Sequence, residues 1–282
     1  MQVLRTVDEL RHWSRALHVA GGNTIGLVPT MGALHAGHAS LIRAARTACT
    51  HVAVSLFVNP TQFGPKEDFA QYPRPFDADC ALAESEGADV LFAPAVEELY
   101  PNGPNSTFVD VSILGERLDG ASRPGHFRGV ATVVTKLFIA AEPDRAFFGQ
   151  KDAAQVAVLR RMIADLHLAT EIVVCPIVRD ADGLALSSRN AYLTKTDRAQ
   201  ALILSKTIHH VEFIVSEGER RASMLIAVAR AVFATEPAAR IDYIAVVNWA
   251  TLEPVEIAVP GTLFAVAALV GDTRLIDNAI IK

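Results

Sequence analysis

The chain has 282 residues, 51% hydrophobic and 20% charged, enough to core one large or two modest domains and too apolar for disorder. Its formal net charge of −5 argues against a general binder of nucleic acid or of anionic membranes. Three scattered cysteines, Cys49, Cys80 and Cys175, make no Cys-x-x-Cys pair and read as reduced thiols. The N-terminus lacks the basic-then-apolar layout of a signal peptide, and the longest apolar run, 263–270, is too short for a bilayer. A cytoplasmic protein without membrane or nucleic-acid partners is expected.

Thr6-x-x-Glu9 forms a capping box ahead of a helix carrying Leu10, Trp13 and Leu17, which Gly21-Gly22 ends. The apolar run 24–28 predicts a strand, closed by Pro29, which has no ladder N–H to give. Gly32 and Gly37 then permit turns and close approach of a ligand, and from about His38 the spacing of Leu41, Ile42 and Ala45 turns helical. A helix starting just after a strand and a small-residue turn presents N–H groups to a phosphate, and His35 and His38 fall at that mouth. A metal pair is the rival reading, but zinc needs a third ligand and no Glu or Cys stands beside these histidines. Two histidines satisfying a turn are the other.

Residues 51–58 read as a strand buried on both faces. The loop after it holds Asn59 and Gln62 beyond a strand's carboxyl end, where polar groups orient small substrates in open α/β sheets; a solvent-facing turn is the alternative. A helix over 77–86 and strands over 88–92 and 107–111 come next. The basic loop Arg123-Pro-Gly-His126-Phe-Arg-Gly129 leads into a helix and suits an anion, or is an exposed turn.

After a strand over 145–148, a helix starts at Asp152, an N-cap type. Lys151 is unfavourable beside a positive helix end unless an anion offsets it, and Gln155 lies in the first turn of the same helix. A strand over 171–178 ends this part. Leu186-Ser187-Ser188-Arg189 then offers two hydroxyls and a guanidinium, suited to polyphosphate; a serine-rich turn is the plain alternative. Beyond Thr194 come a helix over 197–216, a second helix with Leu225, Val228 and Val232, and strand-like runs at 241–247, 255–259 and 263–270. The pattern predicts an α/β protein: a Rossmann-like, doubly wound parallel sheet in 1–178 and a smaller α+β domain in 179–282.

The joint presence of these segments is more specific than any one of them. Residues 29–38 (Pro-Thr-Met-Gly-Ala-Leu-His-Ala-Gly-His), 57–63, 72–74, 120–130, 148–152 with Gln155, 182–190 and 273–278 together resemble the pantoate–β-alanine ligase family, within the His-x-Gly-His nucleotidyltransferase superfamily. The resemblance implies a two-step, AMP-forming ligation of pantoate and β-alanine through a pantoyl adenylate. By position it implies that Met31, Gly32, Ala33, Leu34, His35, Ala36, Gly37 and His38 bind ATP, with His38 catalytic and His35 assisting. Gly149, Gln150, Lys151, Asp152, Val178, Leu186, Ser187, Ser188 and Arg189 complete the nucleotide site, Lys151 also acting in catalysis. Gln62 and Gln155, with Asn59 and Arg123, serve the small substrates. Mg²⁺ rides on the polyphosphate without an assigned protein ligand, and the family is typically homodimeric. Because an acyl adenylate hydrolyses, the loop 61–75 is expected to help exclude water. A relative transferring a nucleotidyl group to a phosphorylated alcohol would lack the paired glutamines. A nucleotide sensor would have lost His38 or Lys151.

Overall fold

The computed structural model describes residues 1–65, 67 and 69–282, and the chain divides into two compact units. The first comprises Met1–Gly149 and Val158–Cys175, the second Gln150–Ala157 and Pro176–Lys282. The sequence places a boundary after residue 178; by contacts the second unit starts at Pro176 and also takes Gln150–Ala157. Lys66 and Asp68, in the loop expected to exclude water, lie outside the described residues.

The first unit is built on six parallel strands: β1 (Gln2–Leu4), β2 (Ile25–Thr30), β3 (His51–Leu56), β4 (Val90–Phe92), β5 (Arg145–Gly149) and β6 (Glu171–Cys175). Their order in the sheet is β1-β4-β3-β2-β5-β6. The chain therefore winds outward from β2 in both directions, the doubly wound, Rossmann-like arrangement expected. Ile25, Leu27 and Val28 of β2 are all fully buried, so both faces of the sheet are covered. The intervening helices are α1 (Val7–Ala20), α2 (Ala36–Ala48), α3 (Phe76–Ser85), the short α4 (Val96–Leu99) and α5 (Asp119–Ser122), α6 (His126–Ala141) and α7 (Ala153–Asp165). Leu41, Ile42 and Ala45 of α2 pack in one core cluster with Val28, Val52, Val54, Leu91 and Phe147. The capping box of α1 is formed in both directions, Glu9 N–H to Thr6 Oγ1 and Thr6 N–H to Glu9 Oε2.

Two expectations are corrected here. Pro29 does not close its strand: β2 runs on to Thr30 beside β3, with Pro29 opposite Ser55. On the other side β5 pairs only with Gly26 and Leu27, so no ladder there demands the missing N–H. Residues 107–111 form no strand. Val109 N–H instead donates to Thr132 Oγ1 on α6 (2.9 Å), so a side chain takes the place of a neighbouring strand.

The second unit packs α8 (Lys195–Ser216) and α9 (Ala222–Phe233) on an antiparallel sheet of β7 (Ala239–Asn248), β8 (Thr262–Val270) and β9 (Thr273–Ile280). Leu204, Ile208, Val211, Val215 and Leu225 are core, with Val228 and Val232 packed against it. Residues 255–259 form no strand, Ile257 making an isolated bridge to Arg221, and the third strand is β9, whose polar Asp277-Asn278 breaks its apolar pattern. The three cysteines are free, and burial pushes each thiol up from its usual range. Among the described residues no helix is long and apolar enough to cross a membrane.

The loop after β3 is seated on α6 at one point. A Cβ on Gly129 would stand 2.3 Å from the Thr61 carbonyl oxygen, and Asn59 Nδ2 donates to the Gly129 carbonyl at 3.1 Å. Gly129→Ala, a change that ordinarily strengthens a helix, should here destabilise the protein by about 1–3 kcal/mol through overpacking. Urea unfolding checks the sign; a stabilised variant would show that the loop yields.

Candidate active site

The predicted residues fall into two sets, one in each unit. In the first unit the site begins where β2 ends. Thr30 Oγ1 donates to the Ser55 carbonyl (2.6 Å) and accepts the Gly32 N–H (3.2 Å), which fixes the exit of the chain from the sheet. The turn passes through Gly32 and Ala33 at φ of 84° and 52°. A left-handed alanine is unfavourable, and the turn is held by Asp79 on α3. This carboxylate is 3% exposed and accepts the N–H groups of Ala33 (2.9 Å) and Leu34 (2.7 Å). Burial pushes its carboxyl up from the usual range, against the pull of those two amides.

His35 is the N-cap of α2. Its Nδ1 accepts the Gly37 N–H (3.1 Å), while His38 Nδ1 accepts the His35 N–H (3.3 Å), a capping box built from two imidazoles. The rings lie 4.2 Å apart, tilted by 44°. With Nδ1 accepting in each, the neutral tautomer carries its proton on Nε2, so each ring is a donor at that nitrogen. The first turn of α2 contains no acidic residue. A helix start with two such donors is suited to a phosphate.

Gln62 joins this set directly: its Nε2 lies 2.6 Å from Met31 Sδ in the turn. Behind it, Asn59 is 1% exposed. Asn59 Nδ2 donates to Gln62 Oε1 (3.2 Å) and its Oδ1 accepts from Tyr100 Oη (2.9 Å) and Thr61 Oγ1 (3.0 Å). Arg123 is likewise turned to protein partners. Its Nε and Nη2 donate to the two oxygens of Glu67 (2.8 and 2.7 Å), and Nη1 to His126 Nε2 (2.9 Å). His126 Nδ1 in turn donates to the Gln62 carbonyl at 2.8 Å. Asn59 and Arg123 thus set the conformation around Gln62.

In the second unit Lys151 lies in a single turn of 3₁₀ helix, Gln150–Asp152, just ahead of α7, its Nζ 3.5 Å from Asp152 Oδ1. Gln155 is half-buried in the first turn of α7. Val178 and Leu186 face each other across a hairpin, Leu186 N–H donating to the Val178 carbonyl at 2.9 Å. Ser187 caps the next turn, its Oγ accepting the Arg189 N–H (3.3 Å), and Asn190 Nδ2 donates back to the Ala185 carbonyl (3.0 Å). Ser187, Ser188 and Arg189 are all half-buried. Among the described residues no group of three His, Cys, Asp or Glu is placed to hold a metal ion.

Asp79, Tyr100 and Glu67 were not singled out from the sequence. Only Asp79 left a trace there, as an Asp in the first turn of a predicted helix, two residues beyond another.

A helix start with two imidazoles, at the carboxyl end of the central strand of a doubly wound parallel sheet, marks the class: a Rossmann-like α/β protein with its candidate site where such folds bind ligands. The family model described as pantoate-beta-alanine ligase matches residues 2–280. A pantothenate synthetase of Koribacter versatilis is 55% identical over 282 residues, covering 100% of this chain and 96% of that protein. The crystal structure of pantothenate synthetase from Thermus thermophilus superposes with a TM-score of 0.93 at 43% identity, covering 100% of this chain and 99% of that one. That of Francisella tularensis pantoate-beta-alanine ligase, complexed with beta-gamma ATP and β-alanine, gives a TM-score of 0.78 at 33% identity, covering 99% and 97%. The chain belongs to the pantoate–β-alanine ligase family. It is a ligase of that activity, joining pantoate to β-alanine.

The clasp around Gln62 has a pH signature. Burial raises the Glu67 carboxyl, but the hydrogen bonds and charge of Arg123 outweigh it and hold it at about 2, below its ordinary 4.5. A carboxyl depressed on folding stabilises above its unfolded pKa, and that stability is lost as pH falls through the folded value. Glu67→Gln should therefore cost about 2 kcal/mol at pH 7. Urea unfolding of both proteins should show the difference shrinking between about pH 4.5 and 2. A difference that persists unchanged into acid would remove the ion pair from the clasp.

Proposed function

We propose that the ligation consumes ATP and runs in two steps. In the first, a carboxylate oxygen of pantoate attacks the α-phosphorus, the bond to the β-phosphate bridging oxygen breaks, and pyrophosphate leaves. In the second, the amine of β-alanine attacks the acyl carbon. A C–N bond forms, the C–O bond to phosphate breaks, AMP departs and the nitrogen sheds its extra proton. The observation that carries this reading is the imidazole capping box at the start of α2.

The first step brings a carboxylate to a polyanion, so its barrier is largely electrostatic, and donors fixed before reaction lower it most. Residues 31–38 take the nucleotide, His38 Nε2–H stabilising charge on the departing pyrophosphate and His35 assisting. Gly149, Gln150, Lys151, Asp152, Val178 and Leu186 belong to the nucleotide set. The Lys151 ammonium, the hydroxyls of Ser187 and Ser188 and the Arg189 guanidinium supply donors to phosphate oxygens. Gln62 and Gln155 hold the hydroxyl and carboxylate groups of pantoate, with Asn59 and Arg123 serving through Gln62. These donors are of the kind that meets phosphate oxygens, which fits a metal held by the polyphosphate and water. When bound, Mg²⁺ neutralises part of the polyphosphate charge.

The same reading makes the enzyme a cytoplasmic homodimer acting on small molecules. Its acidic balance and three free cysteines support the compartment.

Pyrophosphate release from MgATP tests the chemistry. Wild type should release it only with pantoate, in a single burst, and turn over once β-alanine is added. His38→Ala should lose about 10²–10³ in kcat, the usual cost of one transition-state donor. Release driven by another acid or by a phosphate ester would discard the substrate reading. A variant as fast as wild type would remove His38 from its role.

A further inference from the structure

Two adjacent residues of β9, Asp277 and Asn278, are 2% and 4% exposed. Polar groups at that depth persist only with partners, and apart from one N–H of β9 itself theirs lie outside the sheet. Asn278 Nδ2 donates to the carbonyl oxygens of Gln150 (3.0 Å) and Lys151 (2.9 Å), and its Oδ1 accepts from Gln150 Nε2 (3.2 Å). The Asp277 carboxylate takes a bidentate pair from Arg179 (2.6 and 3.0 Å) and the Asn278 N–H (2.8 Å). Arg179 Nη1 also donates to the Gly183 carbonyl (3.2 Å), across the hairpin that Asp180 N–H closes on Leu184 and that leads into Ser187–Arg189.

One dipeptide on one strand therefore grips both segments that carry phosphate donors in this unit. Asn278 holds the main chain of Lys151 itself, and Asp277 holds the hairpin ahead of Ser187 through Arg179. We infer that Asp277 and Asn278 are positioning residues of the ligation, fixing the Lys151 and Ser187–Arg189 segments relative to each other; the inference rests on the phosphate roles proposed above. A purely structural pair would be better replaced by apolar residues, since a buried ion pair seldom stabilises more than well-packed hydrophobes. Here the hydrogen bonds are directed to the backbones of the donor-bearing segments. Two donor segments serving one polyphosphate must keep their spacing, because a misplacement of about 1 Å can cost about 10²-fold in rate.

The full-length enzyme tests this with Asn278→Ala, Arg179→Lys and Lys151→Ala, read by hydrogen exchange and steady-state kinetics. In Asn278→Ala, exchange should quicken in 150–157 and stay unchanged in β7 and β8. Its kcat/KM for ATP should fall about 10- to 100-fold, with KM for β-alanine unmoved. Combined with Lys151→Ala, it should add less than about twofold, since both act through one group. Arg179→Lys keeps the charge but loses the fork, so exchange should quicken in 183–190 and KM for ATP should rise. Should Asn278→Ala fail to fold, Arg179→Lys decides the inference on the other arm.

Exchange rising evenly across the unit, with activity tracking the folded fraction, would overturn the positioning role. So would losses that multiply in the Asn278/Lys151 double variant. Lys151→Ala as active as wild type would instead overturn the phosphate reading of Lys151, while the exchange pattern still judges the tether.

Discussion

The turn between β2 and α2 depends on a buried carboxylate. Asp79 accepts the N–H groups of Ala33 and Leu34, and without it a left-handed alanine and two inward-facing amides would stand uncompensated. The cost is a carboxyl whose ionised form burial disfavours, against the pull of those two amides. The register of α2 is set by this turn: once it is fixed, His35 falls at the N-cap and His38 one turn in, so the imidazoles cap each other's backbone. Gln62 then meets Met31 of the same turn, and the loop carrying Gln62 is pressed against α6 at Gly129. The first unit thus transmits the position of one carboxylate to every group proposed to act in it.

The second unit solves a different problem. Its donors sit on short connecting segments, and such segments are precise only if their backbone groups are tied down. Asn278 and Arg179 do this with side chains, because neither the 3₁₀ turn at Gln150–Asp152 nor the hairpin at Arg179–Ala185 belongs to the β7–β8–β9 sheet. Rigidity here comes from buried hydrogen bonds, and their alignment costs nothing further when substrate arrives.

Much of this was legible in the sequence because it is local. The capping box at Thr6 and Glu9, the strand–turn–helix around His35 and His38, and the core faces of α2 and α8 all follow from short-range pattern. Elements defined by partners distant in the chain were not. Pro29 remains in its strand because the pairing of β2 with β5 ends at Leu27, and in 107–111 the Val109 N–H is answered by Thr132 on α6 rather than by a neighbouring strand. β9 was hidden because Asp277 and Asn278 break its apolar run for partners that lie 98 to 128 residues upstream. Asn59 and Arg123 were read as serving the small substrates. Their polar atoms, however, face Tyr100, Gly129, His126 and Glu67, partners that spacing along the chain does not reveal.

The choice of imidazole at the start of α2 has its own logic. A lysine there would bring a full charge to a helix end that is already positive, raising the cost of the empty site. A histidine whose Nδ1 accepts a backbone N–H gains a helix cap in the ground state and presents Nε2–H as a neutral donor. In the neutral ring, the bond that caps the helix thus places the proton on Nε2. The cationic groups Lys151 and Arg189 lie instead on segments whose backbone is tied by the side chains of Asn278 and Arg179. Under the roles proposed above, helix capping and phosphate recognition fall to opposite nitrogens of one ring, so a lysine at either position would forfeit the cap.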